Sequence, residues 1–262
     1  MSKVKDEKIS FDSPDFVASL AAGLNVLQTF DEHHSSMTLS EVAEKANIDR
    51  AKARRYLLTL HALGYVHKNK RQFSLTPKTL SIGASYLGGN HHHDIVQYYL
   101  ERVTEQTGES CSFGVLDGED IVYIARSAAE HRLMAITLSV GTRLPAAYTS
   151  MGRAILANLP EDELNSFLSS IELKQYTPYS ISTVDDLKNH LNQIKERKFV
   201  ILNQELDKGL LSLAIPVYKS SQELIGAINI STNALRVTQE NLEKEFLPIL
   251  QECANNIQKY YI

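Results

Sequence analysis

The chain has 262 residues, of which 43% are hydrophobic, and a formal net charge of −4 at neutral pH. This length suits one large domain or two modest ones, and the apolar fraction is ordinary for a globular protein. No window approaches the roughly 18 uncharged apolar residues of a membrane-spanning helix, and the first ten residues lack the apolar run of a signal peptide. Two distant cysteines, Cys111 and Cys253, form no disulfide framework, so a cytoplasmic protein without a membrane partner is expected.

Positive charge is concentrated in one short segment. Between Lys45 and Arg71 there are eight Lys or Arg residues and one acidic residue, Asp49. This segment therefore carries +7, which leaves −11 for the rest of the chain against the total of −4. A basic segment on an acidic chain indicates a local binding site for a polyanion, although a solvated helix face would account for the same charge.

The first part of the chain predicts three helices followed by a hairpin. Ser13 as N-cap and Pro14 at the first helical position predict the start of the first helix, and Ser40 is the predicted N-cap of the second. The third covers "RAKARRYLLTLHAL" and ends at Gly64, and "YVHKNKRQFSLTP" predicts two short strands around a basic turn. This order is typical of a winged helix-turn-helix domain, assigned to residues 14–77. The first helix spaces its apolar residues helically at Val17, Leu20, Leu24 and Leu27.

The third helix is predicted to have an apolar back and a cationic front. At about 100° per residue, Leu57 and Leu60 lie within about 40° of Ala53, whereas Arg55 lies almost opposite. A DNA major groove admits such a helix, and arginine pairs with guanine edges or phosphates. Cations on the hairpin turn would reach neighbouring phosphates. The residues predicted to contact DNA are Ser40, Arg50, Lys52, Arg54, Arg55, Lys68, Lys70 and Arg71.

A helical connector over 78–90 and a second domain over 91–262 follow. The second domain begins with the helix "HHHDIVQYYLERVTEQTGE", whose predicted buried side carries Ile95, Tyr99 and Val103. The remaining predicted elements are a hairpin around an Asp-Gly turn in "SCSFGVLDGEDIVYIARS", a strand "RLMAITLSVG", a helix "TSMGRAILANLP", a helix "TVDDLKNHLNQIKERKF" with a capping box from Thr183 to Asp186, strands "GLLSLAIPVYK" and "ELIGAINIST", and a last helix from about Gln239. Five or six strands with helices between and after them predict an α+β domain.

Polar residues interrupt the apolar strands of this domain. Ser212 lies on the same face of its predicted strand as Leu210 and Ala214, and Asn229 and Ser231 lie together on one face of the next predicted strand. Buried polar groups need partners, which are one another, water or a ligand, and three on two strands favour a ligand pocket slightly.

Two further features bear on a small-molecule site. The start of the helix at "TSMG" offers amides and hydroxyls to a carboxylate, and a plain N-cap with a closely packed glycine explains the same residues. Arg126 is a candidate carboxylate clamp or a surface arginine at a strand end. The run His91–His93 points its rings about 100° apart and cannot converge on one metal ion. No catalytic set or phosphate loop is found, so no catalytic residue, metal or cofactor is expected.

Six segments then occur in a specific order along the chain: "LAAGLNVLQTF", "TLSEVAEKANIDRAKARRYLLTLHALGYV", "ESCSFGVLDGEDIVYIARS", "SVGTRLPAAYTSMGRAILA", "ELDKGLLSLAIPV" and "IGAINIST". With them, nearly the whole chain resembles the IclR family of bacterial transcriptional regulators. The versions "RAKARRYLLTL" and "TSMGRAILA" are most similar to the subgroup that controls catabolism of aromatic acids through protocatechuate and β-ketoadipate.

The resemblance implies a winged helix-turn-helix domain, a linker helix and a GAF-like effector-binding domain with a mixed or antiparallel sheet. It also implies homodimers, often paired into tetramers, on double-stranded DNA operators. It places a small organic acid among Leu133, Ile136, Leu144, Thr149, Ser150, Met151, Leu210, Ser212, Asn229 and Ser231, and Arg126 stands where the aromatic-acid subgroup has an arginine. Ser150 and Met151 replace the glycine and alanine of some relatives, and an inward Met151 would narrow the pocket.

The leading hypothesis is a cytoplasmic DNA-binding regulator whose second domain binds a carboxylic acid that shifts a dimer between two arrangements. One alternative is a constitutive DNA-binding dimer without effector control. Another is an enzyme with a basic N-terminal appendage, for which the pocket would need a nucleophile or paired carboxylates.

Overall fold

The computed structural model describes residues 10–31, 33–89, 93–129 and 138–261. Internal contacts divide the chain into two compact units, residues 1–89 and residues 90–262. Within the described ranges, no helix combines the length and the apolar character needed to cross a bilayer.

The part of the first unit that the structure describes contains four α-helices and a small sheet. Its strands pair antiparallel in the order β1-β3-β2, and Lys70, with a φ of 54°, forms the turn between β2 and β3. The predicted winged helix-turn-helix is therefore confirmed. The elements are α1 (Ala18–Gln28), β1 (Ser36–Thr38), α2 (Leu39–Lys45), α3 (Arg50–Ala62), β2 (Val66–Asn69), β3 (Gln72–Leu75) and, after a 3₁₀ turn, α4 (Leu80–Gly89).

The core of this unit lies behind α3. Ala53 and Leu57 are fully buried and Leu60 is nearly so, whereas the four cations of the helix are exposed. The predicted apolar back and cationic front of α3 are thus confirmed. The residues that pack with Leu57 and Leu60 are Val26, Phe30, Met37, Val42, Ala46, Val66 and Phe73.

The start predicted for the first helix is wrong. The hydroxyl of Ser13 accepts a hydrogen bond from the backbone N–H of Asp15 at 3.2 Å, which closes a local turn instead of capping a helix. The helix begins only at Ala18. Serine side chains compete with helices in this way, because they bond to nearby backbone groups.

The N-cap of the second helix is Thr38 rather than the predicted Ser40. Thr38 Oγ1 accepts from the N–H of Glu41 at 3.4 Å, and Glu41 Oε2 accepts from the N–H of Thr38 at 2.6 Å, which is a capping box. Ser40 is the second residue of α2. The "DEHHSSM" stretch, predicted as a polar break, also contains β1, whose Met37 pairs with Phe73 of β3.

The second unit is an α+β fold, and its described residues form a six-stranded sheet. Every strand pair is antiparallel, and the order is β6-β5-β4-β9-β8-β7. Its elements are α5 (His93–Thr107), β4 (Ser110–Asp117), β5 (Asp120–Ser127), β6 (Arg143–Pro145), α6 (Ser150–Leu156) after a 3₁₀ turn, α7 (Glu161–Ser170), α8 (Val184–Arg197), β7 (Val200–Asn203), β8 (Leu210–Tyr218), β9 (Leu224–Asn233), α9 (Gln239–Asn241), a π-helical turn (Leu242–Phe246) and α10 (Leu247–Gln258).

Helices cover both faces of this sheet. Helix α6 packs against β4, β8 and β9 on the face that carries Ala214 and Ala227. Helices α5 and α10 contact the sheet from the other face, where Cys111 of β4 lies near Cys253 of α10. The pleat therefore sends alternate residues of β8 and β9 to different helices.

Most predicted elements of this unit are confirmed, with local corrections. The β4–β5 hairpin turns at Gly118, whose φ is 64°, and Thr183 caps α8 by accepting from the N–H of Asp186 at 3.1 Å. The reciprocal half of the predicted capping box does not form, because Asp186 Oδ2 accepts from the Thr183 hydroxyl rather than from its backbone N–H. The buried residues of α5 are Val96, Leu100 and Val103, so Ile95 and Tyr99 were assigned wrongly to its buried side. Helix α7 and strand β7 were not predicted, whereas most of the predicted strand "RLMAITLSVG", together with His91 and His92, lies outside the described residues.

Candidate functional site

A groove on the first unit gathers most of the predicted DNA contacts. Six of the eight predicted residues line it: Ser40, Arg50, Arg54, Lys68, Lys70 and Arg71. The other lining residues are Thr38, Leu39, Leu58 and Phe73, so the described lining contains five cations and no acid. We call this surface the basic groove. Lys52 and Arg55 are exposed on α3 but do not line it.

Local contacts fix the residue at which α3 begins, and hence the positions of the cationic side chains along the helix. Asp49 caps the helix, because its Oδ1 accepts from the N–H of Lys52 at 2.8 Å. This bond lowers the pKa of Asp49 below its ordinary value of 3.8. The Lys52 Nζ also lies 3.3 Å from Asp49 Oδ2. The Lys52 charge is therefore partly offset within the protein, whereas Arg50 and Arg54 face the groove.

The hairpin is tied to the end of the same helix. Thr76 Oγ1 donates to the carbonyl of Gly64 at 2.6 Å, and Lys78 Nζ donates to the carbonyl of Leu63 at 2.8 Å. Lys78 also lies over the ring of Tyr65, 4.7 Å from its centroid. These contacts hold the strands that carry Lys68, Lys70 and Arg71 at a set position relative to α3. The groove therefore combines cations of α3 and of the hairpin turn on one surface that local contacts hold in place.

A second site, which we call the sheet pocket, lies in the second unit between the sheet and the start of α6. Seven of the predicted effector residues line it: Leu144, Thr149, Ser150, Leu210, Ser212, Asn229 and Ser231. Its other lining residues, which the sequence did not indicate, are Tyr123, Leu138, Tyr148, Leu206 and Asp207. Leu133 and Ile136 lie outside the described residues.

Strand register brings the polar residues of the pocket together. Ser212 of β8 pairs with Ser231 of β9, and Ala214 pairs with Asn229. The Asn229 Nδ2 donates to Ser231 Oγ at 2.9 Å. The shared alternation that the sequence indicated therefore corresponds to one face of two neighbouring strands, and this face points toward α6.

The start of α6 is both a capped helix end and a close packing contact. Thr149 Oγ1 accepts from the N–H of Gly152 at 3.0 Å, so this hydroxyl is used as the N-cap. A Cβ on Gly152 would lie 2.1 Å from the carbonyl oxygen of Ala146, closer than any side chain permits. Both features of the plain N-cap interpretation are thus present, yet the hydroxyl of Ser150 is not part of the cap.

Two buried polar atoms in the pocket have no hydrogen-bond partner. Among the residues that the structure describes, four buried side-chain polar atoms are in this state: Thr104 Oγ1, Ser150 Oγ, Asn229 Oδ1 and Thr232 Oγ1. Ser150 and Asn229 are 2% and 3% exposed and line the same pocket from opposite sides. An unsatisfied buried group costs about 1–3 kcal/mol, which a ligand that supplies the missing bond would recover.

Tyr123 adds a further polar group to the lining. Burial raises the pKa of its phenol to about 12, so the hydroxyl keeps its proton at neutral pH and remains a donor. The nearby charge of Arg126 opposes this shift. The alternation in "IVYIAR" did not reveal Tyr123, because the register between β4 and β5 shifts at Phe113 and Gly114.

Arg126 and Met151 are placed beside the pocket rather than in its lining. Arg126 Nη1 donates to Ser112 Oγ at 3.0 Å, and Ser112 in turn pairs with Asn229 across β4 and β9. Arg126 thus stands in the same row across the sheet as Asn229. Met151 is fully buried, and its Cε lies 3.1 Å from where a Cβ on Gly114 would be.

The enclosed space of the sheet pocket measures about 20 Å³, which is room for about one water molecule. A ring-sized ligand needs more space than this, so part of the lining must move when it binds. Within the described ranges, no group of three or more His, Cys, Asp or Glu side chains is arranged to hold a metal ion.

Comparisons with known proteins identify the family to which each unit is similar. The family model described as "IclR helix-turn-helix domain" matches residues 19–70, and "Bacterial transcriptional regulator IclR C-terminal" matches residues 84–259. The chain is 40% identical over 244 residues to the Pca regulon regulatory protein of Pseudomonas putida, covering 93% of this chain and 84% of that protein.

Solved structures extend the comparison to the fold. A protein from Rhodococcus sp. RHA1 is 41% identical, with a TM-score of 0.80 over 94% of this chain and 98% of that one. The inducer-binding domain of a PobR double mutant from Acinetobacter, in complex with 3-hydroxybenzoic acid, is 27% identical, with a TM-score of 0.60 over 63% of this chain and 96% of that one. Because one family model alone matches more than half of its length, the chain belongs to the IclR family of bacterial transcriptional regulators.

Proposed function

We propose that this helix-turn-helix regulator binds its operator through the basic groove and binds a hydroxylated aromatic acid in the sheet pocket. The bound acid would modulate operator binding and so control genes of aromatic-acid catabolism in the cytoplasm. The single observation that carries the proposal is the pair of unpartnered atoms, Ser150 Oγ and Asn229 Oδ1, on opposite sides of one buried pocket.

The chemistry of these two atoms indicates the class of ligand. The amide of Asn229 already donates to Ser231, so its free Oδ1 needs a donor such as a phenolic hydroxyl. The hydroxyl of Ser150 can donate to a carboxylate oxygen. A hydroxybenzoate carries both groups on a rigid apolar ring, and the apolar lining of Leu138, Leu144 and Leu210 suits that ring. The names of the Pca and PobR relatives support the same class.

The effector site is proposed to include the residues beside the pocket as well as its lining. Arg126 would act on the acid from the row it shares with Asn229, and Met151 would limit the depth of the pocket from behind. Leu133 and Ile136 also remain in the proposed effector site, on the basis of the resemblance to the IclR family. A dicarboxylic acid is the weaker alternative ligand, because its ionised form has no hydrogen-bond donor for Asn229 Oδ1.

For the DNA side, the basic groove supports contacts from α3 and the hairpin turn. We propose that Arg50 and Arg54 reach base edges or phosphates and that Lys68, Lys70 and Arg71 contact phosphates, with Ser40, Lys52 and Arg55 at the margin of the interface. The proposed boundaries are residues 14–77 for the DNA-binding domain, 78–90 for the linker helix and 91–262 for the effector-binding domain.

Exposed apolar residues support a homodimer. Val17, at the N-cap of α1, and Leu20 and Leu24 on the helix are 57%, 61% and 50% exposed, although they occupy the helical spacing of a buried face. On α4, Leu80 and Ile82 are exposed as well. Apolar side chains repeated on two helices mark a protein-interaction surface. We propose that a second copy of this chain covers them, and that pairs of dimers form the tetramers known in related regulators.

The experiment measures the melting temperature of the purified protein with 3-hydroxybenzoate and with protocatechuate. A ligand at 100 times its Kd stabilises the folded state by about 2.7 kcal/mol, so the wild-type transition should rise. Ser150→Ala should lose most of this rise, because it removes the donor to the carboxylate. The matched control is Thr104→Val, which removes another unpartnered hydroxyl outside the pocket lining and should keep the full rise.

Operator binding is measured in the same samples with a promoter fragment that the wild-type protein retains. Ser150→Ala should bind this fragment normally without acid and lose the response to acid. A wild-type protein that binds DNA but shows no shift with either acid would support the constitutive dimer instead.

A further inference from the structure

Among the described residues of the second unit, the charged side chain with the lowest exposure lies one helical turn from the lining of the sheet pocket. Arg153 of α6 is 1% exposed, and its Nε donates to the carbonyl of Ala147 at 2.7 Å. Its Nη1 lies 2.9 Å from Glu205 Oε1, and its Nη2 forms a second bond to Glu205 Oε2, which is the bidentate arrangement of an ion pair. The two residues are 52 positions apart in the chain.

A neutral histidine completes the surroundings of the arginine. Burial, followed by the charge of Arg153, lowers the pKa of His190 below its ordinary value of 6.5. Its Nδ1 lies 2.6 Å from Arg153 Nη1 and acts as an acceptor. The positive charge of Arg153 is therefore balanced by Glu205, and the neutral ring of His190 adds no second positive charge beside it.

Glu205 also binds the chain segment around residues 177–181. Its Oε2 accepts from the N–H of Ile181 at 3.2 Å, and its backbone carbonyl accepts from Ser180 Oγ at 2.6 Å. Thr177 Oγ1 donates to the neighbouring carbonyl of Gln204 at 2.6 Å. One carboxylate thus joins three segments: α6, the segment 177–181 and the loop between β7 and β8.

Two of these joined segments contribute walls of the pocket. Thr149 and Ser150 line it at the start of α6, within one helical turn of Arg153. Leu206 and Asp207, the next residues after Glu205, line it from the β7–β8 loop. Neither Arg153 nor Glu205 lines the pocket itself, so any effect on a ligand must act through the walls that they hold.

We propose that Glu205 is a positioning residue of the effector pocket, which uses its ion pair with Arg153 to fix the distance between the α6 wall and the β7–β8 wall. This inference rests on the proposed function, since it concerns binding of the same acid. The enclosed space admits only about one water molecule, so a small change in the distance between the walls changes which ligand fits. Buried ion pairs contribute little net stability relative to apolar packing. The role that remains for this pair is to set the positions of the two pocket walls that it joins.

The test uses Glu205→Asp in the full-length protein. Aspartate keeps the charge that Arg153 requires, but it is shorter by one methylene group and must draw the two walls together or lose a bond. The matched control is Glu109→Asp, because Glu109 is also buried, also pairs with an arginine, Arg236, and lies outside the pocket lining. Each protein is measured at the same interval below its own melting temperature, so that a difference in stability does not alter the comparison.

The first measurement is the Kd for 3-hydroxybenzoate by titration calorimetry. Loss of one hydrogen bond between the pocket and the acid lowers affinity by about 10-fold, so Glu205→Asp should bind about 10-fold more weakly than wild type. Glu109→Asp should stay within about twofold. Equal affinities in the wild type and Glu205→Asp would overturn the inference.

The second measurement is amide hydrogen exchange without ligand. In Glu205→Asp, exchange should accelerate together at residues 150–152 and 206–209, whereas Glu109→Asp should leave both segments unchanged. Acceleration of only one wall, or of neither, would also overturn the inference. A wild-type protein that binds no acid would refute the proposed function, and the exchange result would still decide the role of Glu205.

Discussion

The two units of this protein place their functional polar groups in opposite environments. In the first unit, cations such as Arg54 stand in solvent on a helix whose back is apolar. In the second unit, two neutral oxygen atoms, Ser150 Oγ and Asn229 Oδ1, are buried between a sheet and a helix without hydrogen-bond partners. The first arrangement suits a large polyanion that approaches from outside, and the second suits a small molecule that must be enclosed.

This difference predicts how function and stability are related in each unit. Exposed charges contribute little to folding, so their removal should affect DNA binding alone. Buried polar groups affect both ligand binding and folding stability, because the same atoms that would bind a ligand are desolvated when the chain folds. Substitutions of the exposed cations should therefore change DNA binding without changing stability, whereas substitutions of the buried polar groups should change both stability and ligand binding. A substitution that does not follow this division would weaken the comparison between the two units.

The largest effect is expected for Glu205→Ala. It leaves the guanidinium of Arg153 buried without its carboxylate, and breaking a buried pair in this way costs about 3–5 kcal/mol. Chemical unfolding of the purified protein measures the loss. The control is Arg197→Ala, whose pair with Glu243 is about half exposed on both sides and should contribute less than about 1 kcal/mol. Similar losses in the two variants would mean that burial does not distinguish these ion pairs.

A smaller effect, confined to DNA binding, is expected for Arg54→Ala. Loss of a base contact costs about 1–3 kcal/mol of operator affinity, while unfolding should change by less than about 0.5 kcal/mol. Fluorescence anisotropy with a promoter fragment measures the affinity. Lys188→Ala, an exposed cation on α8 of the second unit, is the matched control and should bind normally. An Arg54→Ala protein that binds as wild type would remove this residue from the interface.

The smallest effect is a pH dependence that comes from His190. Its pKa in the folded protein lies below the ordinary 6.5, because burial and the charges of Arg153 and Arg197 disfavour the protonated ring, while Glu205 opposes them. The unfolded chain therefore binds more protons below pH 6.5, and stability should fall as the pH drops through that value. His190→Gln should flatten this slope between pH 7 and pH 5 in urea unfolding series. A slope that is unchanged by the substitution would contradict a buried neutral His190.

Periodicity explains which parts of the sites could be predicted. Ala53, Leu57 and Leu60 share one side of a helix, so the cations of α3 had to face outward whatever the rest of the fold was. In the same way, alternation placed Ser212 and Asn229 on the faces of two strands that proved to be neighbours. Both inferences use distances along a regular element, which the sequence contains.

Contacts between distant segments explain what was missed. Leu206 and Asp207 belong to an irregular loop, and nothing local marks them as a wall of the pocket. Thr38 and Ser40 are both suitable N-caps, and the choice between them depends on where β1 ends in the three-stranded sheet. Ion pairing of Arg153 with Glu205 joins residues that no short motif connects.

The backbone contact at Gly152 has a consequence for the redesign of this regulator as a biosensor. Because a methyl group there would overlap the carbonyl of Ala146, the first turn of α6 cannot be re-shaped at that residue without displacing main chain. Libraries aimed at new effectors should therefore leave Gly152 fixed and vary side chains that line the sheet pocket, such as Leu144, Ser150 and Leu210.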